Sequence, residues 1–115
     1  MIILYKNRKA EEQFSSVYKK KWRYPERVKV KLEAAENFIR NAGSMSDIAN
    51  YRPFHLERLS GSRHDEWSIR VGNTGYRITF IPCNGDREEI TDGDILSICT
   101  GIKIVKVTEV SNHYE

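Results

Sequence analysis

Two arginines in neighbouring predicted strands are the residues best placed to bind an anion. Residues 66–71 and 76–82 alternate apolar and polar side chains, and the Gly-Asn-Thr-Gly segment at 72–75 predicts a β-hairpin between them. Both a two-residue and a four-residue loop place Arg70 directly opposite Arg77. Like charges directly opposite each other destabilise a hairpin, so we expect an anionic partner to meet this face.

A carboxylate and an imidazole could turn this cation pair into a site for RNA cleavage. Cleavage through the 2′-hydroxyl needs a base for its proton, cations for the charge on phosphorus oxygens, and an acid for the departing 5′ oxygen. Glu57 could supply the carboxylate and His113 the imidazole, and the arginine fork matches phosphate. Strict alternation with Leu59 turned inward would also turn Glu57 inward, unless a bulge or the strand edge rotates it outward. The alternative interpretation is a polar sheet face with a Glu57–Arg70 charge pair.

Hydrophobic periodicity predicts the elements that must position these groups. Apolar residues at helical spacing predict a first helix over 8–21, with Ala10, Phe14 and Val17 on its buried side. A second helix is expected from about Pro25 to a cap at Gly43. A helical turn at 47–50 is expected in the loop that follows.

The predicted fold is α+β in a single domain spanning residues 1–115. It has a short buried N-terminal strand at 1–5, an antiparallel helical hairpin, and an antiparallel meander of about four strands with the helices on one face. Ser68 and Thr79 are expected to lie beside the arginines on the open face. Imperfect alternation in the last strand predicts a bulge. The meander strands are expected at roughly 54–60, 66–71, 76–82 and within 95–111.

Charge is distributed unevenly along the chain. Residues 1–31 hold ten Lys or Arg against three Glu, whereas residues 86–94 hold five acids against one Arg. A basic half indicates either a polyanionic partner or ordinary solvated helix faces. Lys19 and Lys20 are the candidate phosphate-binding lysines of this half.

Several classes of site find little support in the sequence. The three histidines are too far apart for a metal pair, and Asp92 and Asp94 lack the rest of a calcium loop, so no metal site and no cofactor are predicted. Cys83 and Cys99 are expected to be reduced structural thiols. The apolar start is too short for a signal peptide or membrane span, which predicts a cytoplasmic protein without a membrane partner.

The hairpin and its approach resemble a known family. They are similar to the HigB-type toxins, the plasmid maintenance system killer branch of the RelE/ParE toxin superfamily. The predicted order of elements also resembles that RelE-like fold. The residues that carry the resemblance are Leu59-x-Gly61-x-Arg63, Trp67-Ser68-Ile69-Arg70-Val71 and Tyr76-Arg77-Ile78-Thr79-Phe80.

The resemblance implies the toxin of a type II toxin–antitoxin system. Such a toxin would be a metal-independent endoribonuclease that cuts mRNA on the translating ribosome and arrests translation. A helix-turn-helix antitoxin resembling HigA would silence it and would also bind operator DNA, so the toxin would meet DNA only through that partner.

The resemblance also implies individual roles. Arg77 matches the catalytic arginine, and Glu57 matches a position for the general base or a substrate-positioning group, with His55 as the alternative. Arg63 and Arg70 match basic positions that would bind phosphate. His113 would be the acid, and Tyr114 would stack on a base.

This chain departs from the family pattern at three places. Ser60 stands where the family usually has lysine, the chain ends Ser-Asn-His-Tyr-Glu in place of Asp-Tyr-His, and the acidic loop at 83–94 is an insertion. Two alternatives therefore remain open. One is a ParE-like toxin that inhibits DNA gyrase without cutting RNA, and the other is a non-catalytic protein- or RNA-binding module of the same fold.

Overall fold

A computed structural model describes residues 1–112 of the chain. Shorter 3₁₀-helical segments occupy 16–21, 52–54, 61–63 and 99–101. Among the described residues, no helix has the length and apolar character that crossing a bilayer would require. The helices and strands are β1 Ile2–Tyr5, α1 Arg8–Phe14, α2 Glu26–Asn41, α3 Met45–Asn50, β2 Glu57–Arg58, β3 Trp67–Arg70, β4 Tyr76–Cys83, α4 Ile95–Ile98 and β5 Ile104–Asn112.

The strands form one mixed sheet in the order β1-β5-β4-β3-β2. β1 pairs with β5 in parallel, and the other neighbours are antiparallel. The predicted α+β class, N-terminal strand and antiparallel meander are therefore confirmed. The prediction that the first strand is buried is wrong in part: β1 lies at the sheet edge, and Ile2 is 47% exposed.

The central hairpin has the predicted register. Trp67 pairs with Phe80, Ile69 with Ile78, and Arg70 with Arg77. The apolar pairs are buried in the core. Alternation thus fixes which side of these two strands meets the core and which side carries the arginines.

The predicted bulge lies at Thr108 in β5. Thr79 pairs with Glu109 whereas the next residue, Phe80, pairs with Val107, so Thr108 is the extra residue. The insertion keeps both Val107 and Val110 buried although their spacing breaks strict alternation. β5 begins only at residue 104, because residues 95–101 form α4 and a 3₁₀ turn.

The predicted helix over 8–21 is wrong as a single element. α1 ends at Phe14, and the Ser15 side chain accepts a hydrogen bond from Val17 N to begin the 3₁₀ segment. Serine hydroxyls compete in this way with helical hydrogen bonding. The break leaves Val17 83% exposed, while Trp22 is buried and its Nε1 donates to Glu12 O at 3.0 Å.

α2 presents the predicted apolar stripe to the core, but its ends differ slightly from prediction. Pro25 precedes the helix, and Ala42 rather than Gly43 is the C-cap. The Met1 ammonium donates to the carbonyls of Ile39, Arg40 and Ala42, which satisfies acceptors that a helix C-terminus leaves open. The stripe consists of Val28, Leu32, Ala35 and Ile39.

Gly72, at the start of the hairpin loop, yields the first prediction. Its φ is +55°, and an added Cβ would meet Cδ of Lys31. We expect Gly72→Ala to lower the free energy of unfolding by about 1 kcal/mol, mainly through backbone strain because the lysine stem can move. Gly85→Ala is the matched control, since nothing lies within 4 Å of its added Cβ. Equal denaturant midpoints for the two variants would contradict the argument.

Candidate functional site

One row of side chains crosses four strands on the sheet face opposite the hairpin's apolar residues. Glu57 pairs with Ser68, Ser68 with Thr79, and Thr79 with Glu109. Directly opposite residues point to the same side, so this row shares its face with the pair Arg70 and Arg77. The structure thereby places Glu57 on the face that carries the arginines.

The start of β2 explains how Glu57 reaches that face. His55, two residues earlier, has a left-handed backbone with φ 47°. Its N–H donates to Arg52 O at 2.9 Å and closes a 3₁₀ turn. With the turn closed at His55, Glu57 and Arg58 pair with β3. Leu59 N still donates to Glu66 O at 2.9 Å in the same register, so Leu59 lies on the side of Glu57, whereas Leu56 packs against the core. The alternation therefore holds, and the premise that Leu59 points inward is wrong.

Two side chains, those of His55 and Arg77, approach the same oxygen of Glu57. His55 Nε2 lies 3.5 Å from Glu57 Oε1, and Arg77 Nη1 lies 3.6 Å from the same atom. The Arg77 side chain is 29% exposed and the other two are more open. This His55–Glu57–Arg77 cluster is therefore accessible to a ligand and combines a carboxylate, an imidazole and a guanidinium.

Arg70 lies directly across the strand pair from Arg77 but has a different environment. It is exposed, and no ion pair involves it among residues 1–112. The alternative interpretation had paired Glu57 with Arg70, whereas the structure pairs Glu57 with Arg77. Glu57 thus neutralises the charge of Arg77 but not that of Arg70. Among the described residues, Arg70 is therefore the arginine of this pair that is available to an anion.

Arg63 lies in a second polar group that the sequence did not predict. Its Nε and Nη2 each donate to Glu66 at 2.8 Å, and Nη2 also donates to Glu109 Oε1 at 2.8 Å. Thr108 Oγ1 donates to Glu66 Oε1 at 2.7 Å. We call these four residues the Arg63–Glu66 network. Because two of its carboxylates already hold Arg63, this residue has less capacity for phosphate than Arg70.

The Arg63–Glu66 network covers the part of the sheet face next to the cluster. Ser68 and Thr79 point to the predicted side but are 1% and 0% exposed, so the prediction that they lie in the open is wrong. The network runs from residues 63–66 to β5 and therefore crosses over this row. Thr79 Oγ1 also lies 2.7 Å from Thr108 Oγ1. The i,i+3 spacing of Arg63 and Glu66 could have predicted their ion pair from the sequence. The contacts with Thr108 and Glu109 could not be predicted, because they depend on the long-range pairing of β5.

Glu66 makes the stability of the fold depend on pH. The hydrogen bond from Arg63 is the largest influence and holds the pKa of Glu66 below its ordinary value of 4.5, although burial acts in the opposite direction. A lowered folded-state pKa contributes stability above the unfolded value and loses it as the pH falls through the folded value.

We therefore expect the wild type to lose unfolding free energy more steeply than Glu66→Gln as the pH falls below about 4.5. Urea melts at several pH values between about pH 3 and pH 7 measure this difference, because that range includes the ordinary carboxyl transition. Parallel pH profiles for the two proteins would show that Glu66 has no such role.

The basic segment is attached to the core side of the sheet at Tyr76, whose neighbour Arg77 points to the opposite face. Lys19 and Lys20 are exposed on the 3₁₀ segment at 16–21, and Lys19 Nζ lies 3.5 Å from Glu33. Tyr24, just beyond, packs edge-on against Tyr76 with ring centroids 5.3 Å apart. Burial raises the pKa of Tyr24 to about 12, so its hydroxyl stays neutral.

The predicted acid and stacking residue, His113 and Tyr114, lie outside the described residues. The last described residue of β5, Asn112, pairs with Tyr76, the neighbour of Arg77. Among residues 1–112, no group of three or more His, Cys, Asp or Glu side chains is arranged to hold a metal ion.

No protein-family model matches this sequence, and a search of the curated proteins found no match.

Proposed function

We propose that this chain is a HigB-like toxin with a RelE-like fold, which cuts mRNA on the ribosome in the cytoplasm. The observation that carries the proposal is the accessible His55–Glu57–Arg77 cluster, with Arg70 beside it and without an ion pair among residues 1–112. An imidazole and a guanidinium that approach the same carboxylate oxygen form a set that a purely binding protein does not need. Ribonucleolysis uses each of these groups.

In this proposal Glu57 takes the proton of the 2′-hydroxyl, and His55 exchanges protons with it. The freed oxygen attacks the adjacent phosphorus, and Arg77 leaves its long contact with Glu57 to donate to the phosphoryl oxygens, where negative charge accumulates. A planar guanidinium suits this task because two of its N–H groups can meet two oxygens. Arg70 would hold the neighbouring phosphate.

The leaving 5′ oxygen requires an acid on the far side of the phosphorus. His55 and Glu57 contact each other and therefore serve the same side of the reaction. His113 stays our prediction for the acid and Tyr114 for base stacking.

The remaining basic residues divide into two roles. Arg63, held by Glu66 and Glu109, would stiffen the face rather than bind RNA. Lys19 and Lys20 would contact phosphates of ribosomal RNA, so ribosome binding should weaken as salt rises. A helix-turn-helix antitoxin would be the silencing partner and would supply the only link to DNA.

Mapping the 5′ ends of cellular mRNA after brief expression tests the proposal. We expect new ends inside coding regions with the wild type and with Arg87→Ala, a control in the exposed acidic loop, but not with Arg77→Ala. Intact transcripts accompanied by DNA damage would indicate the gyrase-inhibiting alternative. Growth arrest that survives Arg77→Ala but is lost when the 83–94 loop is shortened would indicate a binding module.

A further inference from the structure

An aromatic groove lies at the β3 edge of the sheet, where Arg70 separates it from the His55–Glu57–Arg77 cluster. Its walls are Phe38 from α2 together with Tyr51 and Phe54, whose three rings pack with centroids 4.8 to 4.9 Å apart. The cavity measures about 320 Å³, and Lys31 and Arg70 also line it. A neighbouring cavity of about 590 Å³ shares Phe38 and Tyr51 and extends the groove towards α3. Tyr51 is 42% exposed, so its ring is open to a ligand.

The groove also contains an open strand edge. Val71 N donates to Tyr76 O at 3.0 Å, which identifies this as a hydrogen-bonded pair of the hairpin. Such pairs alternate with non-bonded ones in an antiparallel ladder, so Arg70 and Arg77 form a non-bonded pair. The N–H and C=O of Arg70 therefore point away from β4, towards the groove.

Within the described chain, no strand occupies that edge. β2 pairs with β3 only at Glu57 and Arg58. The residue that would come opposite Arg70 is His55, which has turned into the left-handed region and donates its N–H to Arg52. The same turn that brings His55 to the cluster thus leaves one backbone donor and one acceptor uncovered in an apolar groove.

We propose that this groove binds an extended peptide segment of a partner protein. One residue of the peptide would exchange two hydrogen bonds with the backbone of Arg70, as in strand addition to a sheet edge. An apolar or aromatic side chain would enter the cavity between Phe38, Tyr51 and Phe54. A neighbouring Asp or Glu of the peptide would lie near Lys31 and Arg70, neither of which has an ion pair among residues 1–112.

The groove favours a peptide over a nucleotide because of its backbone groups and its lining. A nucleobase could stack on Tyr51, but a paired N–H and C=O at a strand edge complement another main chain. The inference does not depend on the proposed nuclease activity. The two share only the side chain of Arg70, which would bind phosphate in one and an acidic peptide residue in the other.

Selection from a library of displayed decapeptides on the full chain tests the proposal. We expect an enriched class with an aromatic or large aliphatic residue next to Asp or Glu. Synthetic members of that class should bind Tyr51→Ala at least about tenfold more weakly than wild type, as for anchors in other interfaces. Tyr18→Ala, on the 3₁₀ segment, is the control and should bind normally.

Methylating the peptide nitrogens one at a time tests the strand addition without altering the protein. Binding should fall about tenfold only where the methyl removes the N–H that faces Arg70 O. Arg70→Glu, which keeps the backbone, should weaken the acidic peptides and provides a second variant if Tyr51→Ala unfolds.

Three results would overturn the proposal. One is the absence of an enriched class, and another is equal affinity of the selected peptides for wild type, Tyr51→Ala and Arg70→Glu. The third is displacement of the bound peptide by a single-stranded RNA octamer that also perturbs the NMR signals of Tyr51, which would identify the groove as a nucleotide subsite.

Discussion

Replacing Arg77 by alanine should slow the mRNA cleavage that we propose for this chain by about 10²- to 10³-fold, the usual cost of losing a donor that stabilises transition-state charge. Its guanidinium lies 3.6 Å from Glu57, on the open face. Arg77→Lys should recover only part of the rate, because an ammonium cannot make the two-pronged contact. Single-turnover cleavage of a programmed ribosome measures the chemical step directly.

The free energy of unfolding of Arg77→Ala shows whether a slower cleavage rate results from the lost guanidinium or from unfolding. Arg77 is opposite Arg70, and like-charged cross-strand pairs are unfavourable, so Arg77→Ala should not lower the unfolding free energy beyond the usual range for surface changes. Arg70→Ala is the matched control from the same pair, and it should weaken ribosome binding more than it slows chemistry. A loss of cleavage that tracks a loss of folded protein would contradict the assignment, as would a wild-type rate for Arg77→Ala.

Replacing Glu36 by alanine should lower the free energy of unfolding by about 2 kcal/mol, since hydrogen bonds to a charged group are lost from a buried site. Glu36 is 3% exposed in the middle of α2. Its Oε1 accepts from Ser16 N at 3.1 Å, and its Oε2 accepts from Arg40 Nη2 at 3.0 Å. The carboxylate therefore fastens the start of the 3₁₀ segment that carries Lys19 and Lys20.

Chemical denaturation with two companion variants tests this role. Glu33→Ala removes an exposed carboxylate of the same helix, 3.5 Å from Lys19, and should change stability by no more than about 0.5 kcal/mol. Glu36→Gln retains an acceptor for Ser16 and should be less costly than Glu36→Ala. Similar denaturation midpoints for Glu33→Ala and Glu36→Ala would show that the buried hydrogen bonds of Glu36 do not contribute to stability. Faster amide exchange at Ser16 in Glu36→Ala would locate the loss.

The parts of the fold that follow from local alternation were predictable. The hairpin register came from the apolar pattern on both sides of residues 72–75, and the broken alternation of the last strand predicted the bulge at Thr108. The end of α1 was not predictable in this way. Phe14 and Val17 are correctly spaced for a longer helix, but Ser15 caps a new turn and Trp22 fills the core instead.

The candidate site was predictable in its residues but not in its geometry. Glu57 and Arg77 were identified from residue type and resemblance, whereas their contact depends on which side of β2 faces the core, and the sequence prediction had placed Leu59 rather than Leu56 there. The network around Arg63 needed the pairing of β4 with β5, which joins Thr79 to Glu109. Pairing between strands that are distant in the sequence produces no periodic pattern of residue types from which it could be predicted.

The parallel pairing of β1 with β5 governs the timing of assembly. Ile2 lies opposite Ile104, so the strand that joins the first strand to the central hairpin leaves the ribosome later than the other four described strands. Contacts so distant in sequence make folding slow. A nascent chain that lacks β5 cannot place β1 in the sheet and has no Thr108 or Glu109 to cover Thr79. The sheet face that carries the candidate site can therefore be completed only after nearly all of the described chain has been translated.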